Sequence, residues 1–214
     1  MNNIDYVLIH IGKCGGNTIH RILKNLKYKI KKKNIQPVNF NPNRKYIILI
    51  RNPISRFISA FNWRMYNVCD TKTQEHRFKG EANLLKKFKT VNTLAESLYE
   101  SDGTLRINLL EKQFYIHHIY EDINFYIGDF LNMCNPENIY GVILIETINK
   151  DLKNLFDVDS NTIPHILKNK QYDTSLSELG YNNLKKYLHK DYSCIDKMYT
   201  MNLITKEQYD ILSK

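Results

Sequence analysis

Two short stretches carry residue types suited to holding phosphate. The first, His10-Ile11-Gly12-Lys13-Cys14-Gly15-Gly16-Asn17-Thr18-Ile19, sets three glycines, a lysine and a threonine at a turn. Glycines let successive backbone N–H groups turn toward an anion, and a helix starting near Asn17 aims its positive end the same way. Lys13 adds a mobile cation and Thr18 a hydroxyl donor. The order is not that of a Walker A loop, in which Lys-Ser/Thr follows the last glycine; here Lys13 precedes Gly15 and Gly16. The second stretch is Arg51-Asn52-Pro53-Ile54-Ser55-Arg56-Phe57-Ile58-Ser59-Ala60-Phe61. Arg51 ends an apolar run, at the carboxyl edge where open parallel sheets bind ligands. Ser59 follows two helical turns later. Arg56 falls on a different helical face and could as easily be structural.

These residues need elements to position them. Tyr6–Ile11 is a short apolar run ending at the glycines, a buried strand. Ile19, Ile22, Leu23 and Leu26 recur at helical spacing and predict a helix over 17–27. A weaker extended segment is expected over Ile35–Phe40. Tyr46–Ile50 is rich in β-branched residues and apolar at successive positions, the pattern of a strand covered on both faces. Pro53 then opens a helix at its first turn, where the missing N–H costs nothing, with Phe57, Ile58, Phe61 and Met65 as its buried stripe. Residues 68–90 are polar and irregular, an insertion or a substrate-facing loop. Helices are expected at 91–101 and 105–133, the second broken near Asp122. Tyr140–Ile145 is a third core strand ending at Glu146, followed by helices over 150–156, 175–189 and 191–202. Strands alternating with helices, without repeat or linker, predict one α/β domain over 1–214 with a mostly parallel sheet.

The two stretches together are more specific than either alone. Lys-x-Gly-Gly-x-Thr after the first strand, then Arg-Asn-Pro-x-x-Arg-x-x-Ser after the next core strand, resembles the PAPS-dependent sulfotransferase superfamily (PAPS is 3′-phosphoadenosine-5′-phosphosulfate). The similarity is nearest to its carbohydrate-type and small bacterial and viral members. Ile145-Glu146-Thr147 with Asp151-Leu152, and Leu176-Ser177 through Asp191-Tyr192, also resemble segments of those proteins. The resemblance implies a three-layer, P-loop-like fold. It assigns Lys13, Gly15, Gly16, Asn17 and Thr18, with Gly12 and Cys14 completing the loop, to the 5′-phosphosulfate. It assigns Arg51 and Ser59 to the 3′-phosphate. PAPS would be the donor co-substrate, adenosine 3′,5′-bisphosphate the product, and no metal would be needed.

Chemistry by this route is an in-line displacement in which the leaving phosphate oxygen gains charge, so a cation aimed at it lowers the barrier. Lys13 is the candidate. An acceptor hydroxyl also needs a general base. Carbohydrate-type members place a histidine on the strand before the arginine strand, but Ile35–Phe40 holds none. His118, beside His117 on a predicted helix, is the leading candidate because His118–Phe130 resembles a segment of the small members; helix packing is its alternative role. Glu146 is the alternative base, or a site organiser. His76 and His165 are weaker candidates, and His10 is expected to pack or to support the loop. Cys14 stands where many relatives carry threonine or serine, as a small-residue substitution or an oxidisable thiol. Trp63, Arg64 and Tyr66, just beyond the second stretch, could face acceptor or adenine, and Trp63 could equally be core.

Composition bounds the rest. A chain of 214 residues with 43% hydrophobic and 25% charged content suits a single globular domain. No apolar run reaches the roughly 18 residues of a membrane span, and the first strand begins too early for a signal peptide, so a cytoplasmic protein is expected. Cys14, Cys69, Cys134 and Cys194 form no CxxC pair, so free thiols are expected rather than zinc ligands or disulfides. A net charge of +9 suits an anionic partner. The run Lys31-Lys32-Lys33 lacks interleaved aromatics and reads as a solvated loop rather than a nucleic-acid groove. The expected partners are therefore a nucleotide donor and a hydroxyl-bearing acceptor, an anionic glycan favoured by charge. A P-loop kinase is the rival enzyme, opposed by the position of Lys13; a basic binding module would explain the charge but not the two stretches.

Overall fold

Four strands form one all-parallel sheet in the order β2-β1-β3-β4. They are β1 (Tyr6–His10), β2 (Ile30–Asn34), β3 (Lys45–Ile50) and β4 (Ile139–Leu144). The structure is a computed structural model that describes residues 6–26, 30–34, 37–158 and 172–214. In β3, Ile47 and Ile48 point to opposite faces, yet neither is exposed at all. Both faces are therefore covered, which is why β3 is apolar throughout instead of alternating. The expected α/β architecture, a parallel sheet flanked by helices, is the one found.

The described residues form two compact units interleaved along the chain. The first comprises the sheet with α1 (Gly16–Asn25), α5 (Ile123–Met133), α6 (Ile148–Phe156), α8 (His189–Thr200, from Lys190 onward) and α9 (Lys206–Leu212). The second carries α2 (Pro53–Arg64, from Ile54 onward), α3 (Glu81–Phe88), α4 (Val91–Glu96) and α7 (Glu178–Tyr187). The core of the first unit joins the strands to Ile19 and Leu23 of α1, Ile127 and Phe130 of α5, Leu152 of α6 and Ile195 of α8. Among the described residues no helix is long and apolar enough to cross a membrane. All four cysteines are free thiols.

Several local expectations are overturned. The strand beside β1 lies at Ile30–Asn34, so Lys31-Lys32-Lys33 belong to an edge strand rather than a loop, while residues 37–40 have no regular structure. Lysine is a residue type that keeps sheet edges from pairing with other chains. The buried stripe of α2 is Ile54, Phe57, Ala60 and Phe61, joined by Arg56 and Arg64; Ile58 and Met65 are only half-buried, and Trp63 is exposed, not core. Paired acceptors make the arginine burial possible, as described below. The 68–90 segment contains helix α3, and α2 runs on through a π-helical turn, Met65–Asp70. Only 91–96 of the first predicted middle helix forms. Of the second, only the part after Asp122 does, because the Asp122 side chain accepts from Phe125 N and caps α5 there. His117 and His118 consequently sit in a turn, not on a helix. Helix α9 is an element that the apolar spacing does not predict.

Candidate functional site

In the first unit, the loop after β1 and Arg51 after β3 leave adjacent strands at nearly the same level, since His10 pairs in register with Leu49. The strand order adds the decisive constraint. The chain moves from β1 to β2 on one side, then returns to β3 on the other. The carboxyl ends of β1 and β3 thus flank the point where the winding reverses, the crevice in which doubly wound sheets bind ligands.

The loop is closed by its own backbone. Cys14 N donates to Ile11 O (3.2 Å), and Thr18 N and Ile19 N donate to Gly15 O (3.1 and 3.2 Å). Lys13 and Gly15 both adopt φ +71°, a left-handed conformation that glycine tolerates and lysine resists. Gly16 opens α1 beneath the His10 ring. A Cβ at Gly16 would fall 1.9 Å from His10 Cδ2, and one at Gly15 would fall 2.4 Å from Ile145 Cδ1. His10 therefore supports the loop, as expected. Cys14 is buried, its Sγ 3.9 Å from Gly12 O, and packs under the loop. The first turn of α1 holds no acidic residue and its last turn holds Lys24. The positive end of the helix dipole thus faces the loop with no acidic residue in the first turn of the helix itself.

Glu146 sits just past β4 and joins the ends of two strands. Its Oε1 accepts from Asn52 N at 3.0 Å and lies 4.0 Å from Arg51 Nε. Burial pushes the Glu146 carboxyl above the usual carboxylate range, although the Asn52 N–H and the Arg51 charge pull the other way. At 4.0 Å the carboxylate is too far to hydrogen-bond Arg51, and Arg51 Nε has no hydrogen bond among the described residues. The Arg51 side chain as a whole is 29% exposed, although its Nε is buried. Asn52 Nδ2 donates to Ile211 O, Leu212 O and Lys214 O, tying the end of α9 to this edge. Asp151 performs a similar service, accepting from Leu144 N (2.8 Å), Thr147 Oγ1 (2.9 Å) and Gln208 Nε2 (3.2 Å).

Ser59 and His118 lie in the second unit. Ser59 is half-buried on α2. His118 has φ +69°, and its backbone is held at both ends. His118 N donates to Glu121 Oε2 at 2.7 Å, and His118 O accepts from Arg56 Nη2 at 2.7 Å. The same Arg56 nitrogen donates to Glu121 O. Arg56 is 1% exposed, so it is structural: it clamps the turn that presents His118. Glu121 Oε1 accepts from Tyr115 OH (2.7 Å), and Oε2 lies 3.2 Å from His117 Nδ1. Burial acts to raise the Glu121 pKa, but donation from His117, Tyr115 and His118 N–H outweighs it and leaves the carboxyl below its usual range. Behind this turn lies a buried ion pair. Arg64 grips Glu81 through two hydrogen bonds of 2.8 and 2.7 Å, with both side chains at most 1% exposed. Glu81 Oε1 also accepts His117 N at 2.8 Å, and Arg64 Nη1 donates to Gln74 Oε1 at 2.5 Å.

Ligand atoms of His117, His118 and Glu121 lie within 4.8 Å of one another, a spacing a divalent cation could span. Both Glu121 oxygens already accept hydrogen bonds from protein, so a metal would have to displace a structural bond. His76 is exposed, and His165 lies outside the described residues.

The structure thus brings Gly12–Thr18, Arg51 and Glu146 together at one sheet edge, and places Ser59 and His118 in the other unit. Sequence reasoning missed Glu81, Glu121 and Tyr115, and Arg64, expected to face an acceptor or adenine, is instead buried against Glu81. The one available signal was Glu121, three residues after His118, a spacing at which a carboxylate reaches back to a backbone N–H. Comparison with protein-family models, with curated proteins and with solved structures finds no match to this chain.

Proposed function

We propose that the chain is a sulfotransferase that moves the sulfuryl group of PAPS to an acceptor hydroxyl, in keeping with the resemblance of its two phosphate stretches. The observation that carries this reading is the pairing of a lysine-first glycine loop with Arg51 on either side of the winding reversal, between β1 and β3. Two separate anion-holding groups at one crevice suit a nucleotide phosphorylated at both its 5′ and 3′ ends better than a single-phosphate ligand.

The loop N–H groups and the α1 dipole take the 5′-phosphosulfate, with Arg51 and Ser59 assigned to the 3′-phosphate. The acceptor oxygen attacks sulfur while the bond from sulfur to the 5′-phosphate oxygen breaks. Lys13 stabilises the charge arriving on that oxygen. His118 takes the proton from the acceptor hydroxyl and releases it to solvent, leaving the sulfate ester and adenosine 3′,5′-bisphosphate. Glu146 organises the donor site: it already accepts from Asn52 N, so it orders the Arg51 strand end rather than serving as base.

The test is incubation of the full chain with labelled PAPS and a panel of glycans, lipids and small alcohols, with Lys13→Ala as control. Transfer of label to a panel member, lost in the variant and unaffected by chelators, is the expected result. Failure to bind adenosine 3′,5′-bisphosphate overturns the reading. A requirement for magnesium would instead indicate phosphoryl transfer.

A further inference from the structure

The second unit contains a cleft of about 360 Å³ lined by Arg77, Phe78, Lys79, Tyr115 and Tyr120. Three aromatic rings follow one another along it: Phe78 to Tyr115 at 5.0 Å and Tyr115 to Tyr120 at 5.1 Å between centroids. The Arg77 guanidinium carbon lies 5.3 Å from the Phe78 ring centre, and Arg77 and Lys79 are both exposed. The Tyr115 ring is fixed by its hydroxyl, which donates to the buried Glu121. Such rigidity lowers the entropy lost when a ligand stacks on it.

The ring series continues inward. Phe78 lies 4.7 Å from His117, and His117 stacks on His118 at 3.9 Å. An unbroken run of ring contacts therefore links the cleft to the residue assigned as base.

We propose that this cleft binds an acidic saccharide, the C–H face of one sugar packing against the Tyr115 and Tyr120 rings, which are tilted 47° to each other, while its carboxylate or sulfate pairs with Arg77 and Lys79. The inference rests on the sulfotransferase reading, for which it names the class of acceptor. Aromatic rings offer flat apolar surface to the C–H faces of a pyranose. Guanidinium and ammonium groups at the same mouth select against neutral sugars. The volume falls at the small end of ligand sites and suits one or two sugar rings rather than an extended polymer groove. Three rings with two cations would also accept a stacked nucleobase, but the cleft is short and carries no line of cations to follow a phosphate backbone.

The test is calorimetric titration of the full chain with an unsulfated chondroitin hexasaccharide, with maltohexaose as the neutral probe and a uridine hexanucleotide as the stacking probe. The acidic hexasaccharide is expected to bind, and the other two to bind at least tenfold more weakly. Lys79→Glu and Arg77→Gln, both at exposed positions, are each expected to weaken that binding about tenfold or more, by loss of a charge-assisted contact. Adenosine 3′,5′-bisphosphate binding should be unchanged in both variants. Equal binding of the acidic and neutral sugars, preference for the oligonucleotide, or indifference to both substitutions would overturn the inference. If wild type binds the bisphosphate but not the hexasaccharide, the cleft assignment fails while the sulfotransferase reading stands. If it binds the hexasaccharide but not the bisphosphate, the sulfotransferase reading fails while the cleft remains a saccharide site.

Discussion

Lys13 is held at φ +71°, which allows its backbone role to be separated from its charge. A side chain bearing a Cβ costs about 1–2 kcal/mol in the left-handed region, and glycine does not incur that cost. Lys13→Gly and Lys13→Ala delete the same ammonium group and the same side-chain contacts, so their difference isolates the Cβ. The freer unfolded chain of the glycine variant takes back about 0.4–1 kcal/mol. Glycine should then remain the more stable of the two by about 0.5–1 kcal/mol, or about 1–4 °C in Tm for a chain of this length. Catalysis should respond differently. Neither variant can neutralise the leaving oxygen, and removing one preorganised group of that kind costs about 10²–10³ in kcat. Both variants should lose kcat by the same factor at saturating PAPS, while the Kd for adenosine 3′,5′-bisphosphate rises far less. Thermal unfolding, calorimetry with the bisphosphate and initial rates with labelled PAPS measure the three quantities. If alanine matches or exceeds glycine in stability, the backbone argument is wrong. If kcat and Kd worsen by one common factor, the leaving-group role is wrong.

Further outcomes follow from the same geometry. Gly16→Ala places a methyl 1.9 Å from the His10 ring and should cost about 1–3 kcal/mol together with bisphosphate affinity. Adding His10→Ala should recover much of both, a coupling that a double-mutant cycle reads directly. Glu81→Ala leaves the Arg64 guanidinium buried without its carboxylate and should cost about 3–5 kcal/mol in urea unfolding, whereas the apolar pair Arg64→Met with Glu81→Leu should cost much less. The two perturbed carboxyls predict opposite pH trends. Glu146 titrates above its ordinary 4.5 when folded, so its contribution favours folding below that value and fades as pH rises through the folded pKa. Stability of Glu146→Gln should therefore gain on wild type as pH rises. Glu121 titrates below 4.5 when folded, so its contribution is full above that value and is lost as pH falls toward the folded pKa. The penalty of Glu121→Gln should shrink in acid, as urea unfolding across about pH 3–7 will show.

The strands and loops around residues 6–61 were legible because they depend on neighbours in sequence. Glycine spacing fixes a turn, an apolar run fixes a buried strand, and a proline after Arg51 fixes where α2 begins; each acts over a few residues. The parallel α/β sheet followed from the same local patterns. The stretch 105–122 was not legible, because its fate is set by partners far along the chain. Apolar spacing there resembles a helix, yet Arg56, Glu81 and Glu121 bind the backbone of 117–121 and hold it in a turn. The roles of Arg56 and Arg64, structural or ligand-facing, likewise stay open until their acceptors are seen.

The sequence by itself determined a glycine-rich strand-to-helix loop at residues 10–19, an arginine at the end of a core strand, and a parallel sheet to carry them. Local backbone chemistry suffices for each. Only the tertiary structure decided that the strand order places both at the winding reversal, that Glu146 ties the end of β3 through Asn52 N, and that His118 sits in a clamped left-handed turn. These are consequences of which distant segments pair, and long-range pairing is set by the packing of the whole chain rather than by any short pattern within it.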